Sequence, residues 1–179
     1  GGRMKRETSI TLHESKALRE SYYDIRHKSG LHIYFIPKEL SVTYALFATK
    51  YGSIDNVFRL AGEKAFTKVP EGIAHFLEHK MFEAEDGTDT FERFAKVGAS
   101  ANAFTSNDMT AYEFSCTDNV YEALEILLDY VTHPYFTKEN VEKDTALGDA
   151  SVTALEDDDP YTNPPSMSLT VTTTVTQID

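Results

Sequence analysis

The first third of the chain contains short apolar runs bounded by turn signals, a pattern typical of β-strands. Apolar runs over residues 22–25 and 31–36 flank the turn signal Ser29-Gly30, which predicts a β-hairpin. Residues 43–49 and 56–60 are two further apolar segments of strand length. The early part of the chain is therefore predicted to consist of strands.

The periodicity changes to a helical one near residue 70, where a proline and a glutamate suit a first helical turn and apolar residues then recur at helical spacing as far as Met81. Further helices are predicted over residues 89–96 and 120–131. Between them, residues 101–105 and 110–116 resemble two strands joined by a polar turn. This order of elements predicts an α+β fold, a largely antiparallel sheet with helices packed on one face.

The chain beyond residue 136 gives weaker signals. Thr137 begins a fourth predicted helix, but its continuation contains Gly148 and meets the acidic run 156–159. Residues 161–179 are rich in threonine and are predicted to form either an edge strand or a disordered tail.

Composition and charge narrow the classes of protein to consider. The 179 residues suffice for one domain with a real core, and 41% apolar with 26% charged residues is typical of a soluble globular protein. Lys and Arg number 17 against 29 Asp and Glu, and the resulting charge of -12 has the wrong sign for wrapping a nucleic acid or an anionic membrane. Neither partner is expected.

A single cysteine and the lack of long apolar runs bear on location. Cys116 alone cannot form a disulfide framework or a thiolate zinc finger, and it fits a reducing compartment. No run approaches the roughly 20 apolar residues of a membrane span, and residues 1–20 contain no apolar segment resembling a signal peptide. A cytoplasmic location is the expectation.

The segment that points to chemistry is His75-Phe76-Leu77-Glu78-His79. On a helix, two histidines four residues apart lie on one face, so both imidazoles can bind one metal ion. Glu78 is placed to lean over the open coordination position and take a proton from the bound water. Zn²⁺ suits such a site and lowers the pKa of its water to about 7. The pattern H-x-x-E-H reverses the order of the H-E-x-x-H motif found in many zinc proteases.

Histidines also have plainer interpretations. Two histidines on a helix can be ordinary exposed side chains without a ligand. This pair, however, lies in a helix that the sequence predicts clearly and has apolar residues between its members, which favours a metal site. The other four histidines have no partner at ligand spacing and are expected to be ordinary side chains: His13, His27, His32 and His133.

Further motifs accompany the histidine pair. They are G-I-A-H-F-L-E-H-K-M-F-E over 72–83, G-A-S-A-N-A-F-T-S over 98–106, T-A-Y over 110–112, H-P-Y-F over 133–136 and N-V-E-K over 140–143. With these motifs the chain, from about residue 22 to residue 143, resembles the pitrilysin or insulinase-type zinc peptidases. This M16 class includes mitochondrial processing peptidase, and the chain looks closest to its small bacterial branch.

The resemblance implies a zinc endopeptidase that hydrolyses peptide bonds, with His75 and His79 as Zn²⁺ ligands and Glu78 as general base. Members of the class have an α+β half-domain, usually duplicated, in which an exposed strand pairs with the extended peptide substrate. A non-catalytic member that binds a peptide or a partner subunit through the same strand is the alternative function.

By resemblance, the substrate strand is the segment Ala101, Asn102, Ala103, Phe104 and Thr105. An ordinary strand end is the plainer interpretation of these residues. The class normally needs a second, related half-domain or subunit, and no such half follows residue 143 in this sequence. The second half is therefore expected in a longer chain or in a separate subunit.

The third zinc ligand is left open by the sequence. The class takes it from a glutamate on the helix after residues 140–143, with another glutamate seven residues earlier. Gapless continuation places Ser151, a poor zinc ligand, at the ligand position and Asp144 at the earlier one. Glu156 is reached only with an insertion or deletion, and Asp149 lies on a different helix face from position 151.

The resulting division of the chain has three parts. They are an N-terminal extension over 1–21, with 1–3 interpreted as an expression scar, a peptidase-type half-domain over 22–160, and a threonine-rich segment over 161–179.

Overall fold

The described part of the chain forms one main sheet, a small two-stranded sheet and three helices. The structure is a computed structural model that describes residues 7–60, 62–137 and the backbone of 167–174. The elements are β1 Ser9–Ser15, β2 Glu20–Arg26, β3 His32–Lys38, β4 Thr43–Thr49, β5 Val57–Phe58, β6 Thr67–Lys68, α1 Ile73–Lys80, α2 Thr90–Lys96, β7 Ser100–Thr105, β8 Thr110–Cys116, α3 Val120–Thr132 and β9 Met167–Thr174.

Seven of the described strands form the main sheet, in the order β1-β2-β3-β9-β4-β8-β7. The pairing of β3 with β9 is parallel, and the other pairings in this sheet are antiparallel. The predicted hairpin is formed by β2 and β3, with Tyr23 opposite Phe35. The prediction of an α+β fold with a largely antiparallel sheet is confirmed.

The hydrophobic core lies between the sheet and the helices. Alternate residues of β4 and β8, among them Phe47 and Phe114, point to the same face and pack with Phe94 of α2 and Leu127 of α3. Phe94 and Leu127 are both 0% exposed. Because strand side chains alternate between the two faces, one set of positions fills the core and places the helices on one side of the sheet.

Two strands differ from the sequence expectation. The expected boundary at residue 22 leaves out β1, which pairs with β2 from Ser9 opposite Arg26 to Ser15 opposite Glu20. Its side chains are largely exposed, so no buried-face alternation marks it as a strand. β9 is hydrogen-bonded on both sides, to β3 and to β4, so residues 167–174 form neither the edge strand nor the tail expected over 161–179. The rest of that range lies outside the described residues.

The helix boundaries follow from local chemistry. The Asp89 side chain accepts a hydrogen bond from the Phe91 N–H at 2.8 Å and so caps α2, which the sequence predicts over residues 89–96. Asn119 begins α3 with a φ of 55°, and its amide donates to the Val97 carbonyl instead of capping the helix. Within the described ranges, none of the helices combines the length and apolarity needed to span a membrane. The predicted fourth helix, which would start at Thr137, and the acidic run 156–159 fall outside the described residues.

A close contact between two loops fixes the end of the hairpin formed by β7 and β8. The Ser53 N–H donates to the Ser106 carbonyl at 2.9 Å, and a Cβ atom added to Gly52 would lie 2.3 Å from the Asn107 carbonyl oxygen. Only glycine leaves room for this approach. The turn that follows Thr105 is therefore held against the loop after β4.

Candidate metal centre

The H-x-x-E-H motif forms the middle of α1. The helix begins after Gly72, whose φ of 83° lies in the left-handed region that glycine adopts without strain. The Phe76 N–H closes the first turn on the Gly72 carbonyl at 2.9 Å. His75 and His79 then lie one turn apart on the same side, with ring centroids separated by 4.6 Å.

The two imidazoles direct nitrogens toward a common point. Nε2 of His75 lies 3.0 Å from Nε2 of His79. A tetrahedral zinc ion with Zn–N bonds of about 2.0–2.1 Å holds two ligand nitrogens roughly 3.3 Å apart, so a small opening of the pair accommodates the ion. The His75 side chain is 63% exposed, which leaves the pair accessible. The donor set thus fits zinc.

Glu78 lies on the inner side of α1 and is 7% exposed. Its Oε2 accepts a hydrogen bond from the Thr105 hydroxyl at 2.6 Å and lies 3.6 Å from Nδ1 of His75. The second distance exceeds hydrogen-bond length, so the carboxylate acts on His75 through its charge.

A buried tyrosine lies behind the carboxylate. Burial raises the pKa of Tyr112 above its ordinary value, and the nearby Glu78 carboxylate raises it further. Burial likewise raises the pKa of Tyr130, whose ring meets that of Tyr112 edge-on at 5.7 Å. Both phenols are therefore neutral at physiological pH, and no phenolate repels the carboxylate of Glu78 from this side.

The sequence-predicted substrate segment, residues 101–105, lies within β7. This strand lies at one end of the described sheet, with β8 on one side and no described strand on the other. Its alanines at 101 and 103 pack against the core, whereas Asn102 and Phe104 are exposed. The Asn102 amide donates to Glu113 of β8 at 3.3 Å. Among the described strands, β7 is therefore an edge strand, and it lies next to α1.

A cavity of about 660 Å³ lies between α1, β7 and the segment before α2. Its lining brings together two residues of the motif, two of the edge strand and a stacked pair of aromatic rings: Glu78, His79, Asn102, Ala103, Phe82 and Phe91. The candidate base and one candidate ligand thus share a cavity with the edge of the sheet.

The remaining described histidines have other surroundings. Each of them makes an ordinary surface or structural contact with one neighbouring side chain: His13 stacks on Tyr22, His27 bonds to the Ser29 hydroxyl, His32 bonds to Asp24, and His133 lies near Asp129.

The candidates for the third ligand, Ser151 and Glu156, lie outside the described residues, as do Asp144 and Asp149. In the part of the chain that the structure describes, no three His, Cys, Asp or Glu side chains come together as a metal site. The donor set seen here is two imidazoles, and the nearest carboxylate is hydrogen-bonded to Thr105.

The hydroxyl of Thr105 is the site feature that sequence reasoning missed. The sequence assigned this residue to a substrate strand and gave its side chain no role. Its partner Glu78 is 27 positions away, so only the packing of β7 against α1 reveals the contact.

A helix carrying H-x-x-E-H beside the edge strand of an α+β sheet is the arrangement of a metallopeptidase-type domain. The family model for insulinase (peptidase family M16) matches residues 61–164, more than half of the chain. The chain belongs to this family, which confirms the resemblance seen in the sequence.

Curated relatives are named as zinc proteases. YmfH of Bacillus subtilis, an uncharacterized zinc protease, is 53% identical over 135 residues, which cover 75% of this chain and 31% of that protein. An uncharacterized zinc protease of Rickettsia bellii is 32% identical over 136 residues, covering 71% of this chain and 30% of that protein. The chain thus spans about a third of the length of these relatives.

Solved structures share the fold. An M16-like peptidase from Alicyclobacillus acidocaldarius is 39% identical and superposes with a TM-score of 0.63, covering 80% of this chain and 31% of that one. Pitrilysin is 20% identical with a TM-score of 0.58, covering 77% of this chain and 15% of that one, and supports the fold alone.

Proposed function

We propose that this chain is the metal-binding half of a zinc endopeptidase. The observation that carries the proposal is the convergence of Nε2 of His75 and Nε2 of His79 to 3.0 Å, beside the Glu78 carboxylate. Family membership and the names of the relatives support the same class of reaction.

In this proposal His75 and His79 hold the zinc ion through their Nε2 atoms. Zinc, when bound, supplies a Lewis acid that polarises a peptide carbonyl and lowers the pKa of a water molecule to about 7. Glu78 accepts a proton from the attacking water and returns it to the leaving amine, so one carboxylate acts as base and then as acid.

The peptide substrate is proposed to lie along β7. An edge strand carries unpaired N–H and C=O groups, and an extended peptide can satisfy them by adding a strand to the sheet. Backbone pairing of this kind selects an extended conformation and gives only modest side-chain selectivity. The edge position of residues 101–105 among the described strands and the cavity shared with Glu78 and His79 support this role.

A second half-domain or subunit is proposed to complete the active site. The chain accounts for 31% of YmfH and 31% of the Alicyclobacillus peptidase, so the longer relatives contain further structure. The partner half would supply the other wall of the substrate chamber.

The proposal is tested by metal content and by chelator sensitivity. Protein purified at neutral pH without chelator is expected to contain zinc by elemental analysis. Assembled with its complementary half, it is expected to cleave an unfolded fluorogenic peptide, to stop when a chelator is added and to recover with zinc. Peptide binding without zinc and without cleavage would instead identify a non-catalytic member of the family.

A separate prediction concerns the third ligand. If Ser151 occupies that position, two neutral imidazoles leave the zinc charge uncompensated, and zinc affinity falls below that of a site with two histidines and one glutamate. Ser151→Glu is then expected to raise the affinity, measured by zinc titration and competition with a chelator. The control Ser41→Glu, on an exposed turn between β3 and β4, adds the same charge and should leave the zinc affinity unchanged. If the parent chain holds one equivalent of tightly bound zinc and Glu156→Ala loses it, Glu156 is the third ligand.

A further inference from the structure

Thr105 ends β7 at the point where the edge strand meets α1. Its hydroxyl donates to Oε2 of Glu78 at 2.6 Å, the short distance expected when the acceptor is a charged carboxylate. We infer that Thr105 is a positioning residue for the general base: it fixes the carboxylate of Glu78 toward the reacting water. The inference rests on the proposed function and gives the side chain a role beyond the backbone pairing proposed for the strand.

The hydroxyl is itself held in place. Threonine is β-branched, so its χ1 angle is restricted, and the backbone of Thr105 pairs with Thr110 of β8. The following residue, Ser106, is tied by its carbonyl to the loop after β4. A glutamate has three rotatable side-chain bonds, and a fixed donor removes much of that freedom before substrate arrives.

The contact also decides which carboxylate oxygen is available. Oε2 receives the Thr105 hydroxyl and lies near Nδ1 of His75. Within the described residues Thr105 is the one hydrogen-bond donor to Glu78, so Oε1 is left to accept the proton from water. Because the donor belongs to the strand proposed to pair with substrate, the base is oriented relative to the peptide backbone.

A double-mutant cycle on the chain alone tests the contact without any activity measurement. Thr105→Val removes the hydroxyl and keeps the shape, Thr105→Ser keeps a hydroxyl, and Glu78→Ala removes the acceptor. Thr105→Val is expected to lower the urea midpoint of unfolding when Glu78 is present, and to leave it unchanged when it is added to Glu78→Ala. Thr105→Ser is expected to have the midpoint of the parent. Equal lowering by Thr105→Val in both backgrounds, or no lowering in either, would overturn the inference.

Kinetics of the assembled peptidase test the positioning role. Thr105→Val is expected to lower kcat by roughly 10- to 100-fold, the effect of losing a hydrogen bond to a charged group, with KM and zinc affinity unchanged. Thr105→Ser should restore kcat, and Thr117→Val, which removes an exposed hydroxyl after β8, should match the parent. A raised KM with parent kcat would mean that Thr105 acts on substrate binding instead.

Glu78→Gln distinguishes a failure of the proposed function from a failure of the role inferred for Thr105. If Glu78→Gln cleaves peptide at the parent rate, the proposed function is wrong and the inference falls with it. If Glu78→Gln is inactive while Thr105→Val keeps the parent kcat, only the positioning role of Thr105 is wrong.

Discussion

Glu78→Gln is expected to abolish peptide cleavage by the assembled peptidase while zinc stays bound. The amide has nearly the shape of the carboxylate and still accepts the Thr105 hydroxyl, but it cannot take a proton from water. General-base catalysis contributes about 10²–10⁴-fold, so kcat should fall by that factor. The measurements are the initial rate on a fluorogenic peptide and the zinc content of the same preparation.

The matched control is Glu125→Gln, which makes the same chemical change on the exposed side of α3. It should retain the parent rate. Loss of zinc from Glu78→Gln would show instead that Glu78 contributes to the metal site, and an undiminished rate would remove it from the mechanism. The buried position of the carboxylate, 7% exposed, makes a simple loss of surface charge a poor explanation for any large effect.

The motif helix and the strands next to it are predictable because their signals are local. A spacing of four places His75 and His79 on one face of any regular helix, and the structure brings their Nε2 atoms to 3.0 Å. Alternating apolar positions over 101–105 and 110–116 likewise predict β7 and β8, which pair as expected. In both cases the information lies within a few residues of where it is used.

The position of β9 is not encoded in this local way. Residues Met167–Thr174 pair with β3 and β4, strands more than 100 positions earlier in the chain, and they lie inside the sheet. A threonine-rich segment is compatible with an edge, an interior strand or a tail, since periodicity reports which face is buried and not which strand is the neighbour. Whether the segment is an edge strand, an interior strand or a tail is therefore determined by the tertiary structure.

Lys80 shows the same limit at the level of one side chain. A lysine directly after the motif is expected in solvent, yet its side chain is 1% exposed. Its Nζ is 2.8 Å from Oε1 of Glu83 and lies over the Phe76 ring, 5.9 Å from the centroid. The segment after α1 folds back through the hydrogen bond from the Thr90 N–H to the Phe82 carbonyl. The burial of Lys80 depends on how α1 packs in the tertiary structure, which the local sequence pattern does not report.

His75→Ala and His79→Ala are each expected to release zinc. Removing even an outer partner of a metal ligand costs about 10–100-fold in affinity, so loss of one of two described imidazoles should exceed roughly 100-fold. Isothermal titration and chelator competition on the chain alone measure the change, and urea unfolding without metal checks that the fold is intact. The exposure of the His75 side chain, 63%, means that its removal opens no core cavity.

The matched control is His13→Ala, on β1 at the opposite edge of the sheet from β7. It removes an imidazole that stacks on Tyr22 and should leave zinc affinity at the parent value. A full equivalent of tightly held zinc in His75→Ala would place the metal away from α1 and, with it, the proposed site of catalysis. Equal losses in His75→Ala and His79→Ala, with none in His13→Ala, are the expected pattern, because a single ion shared by two nitrogens cannot be held by either one alone.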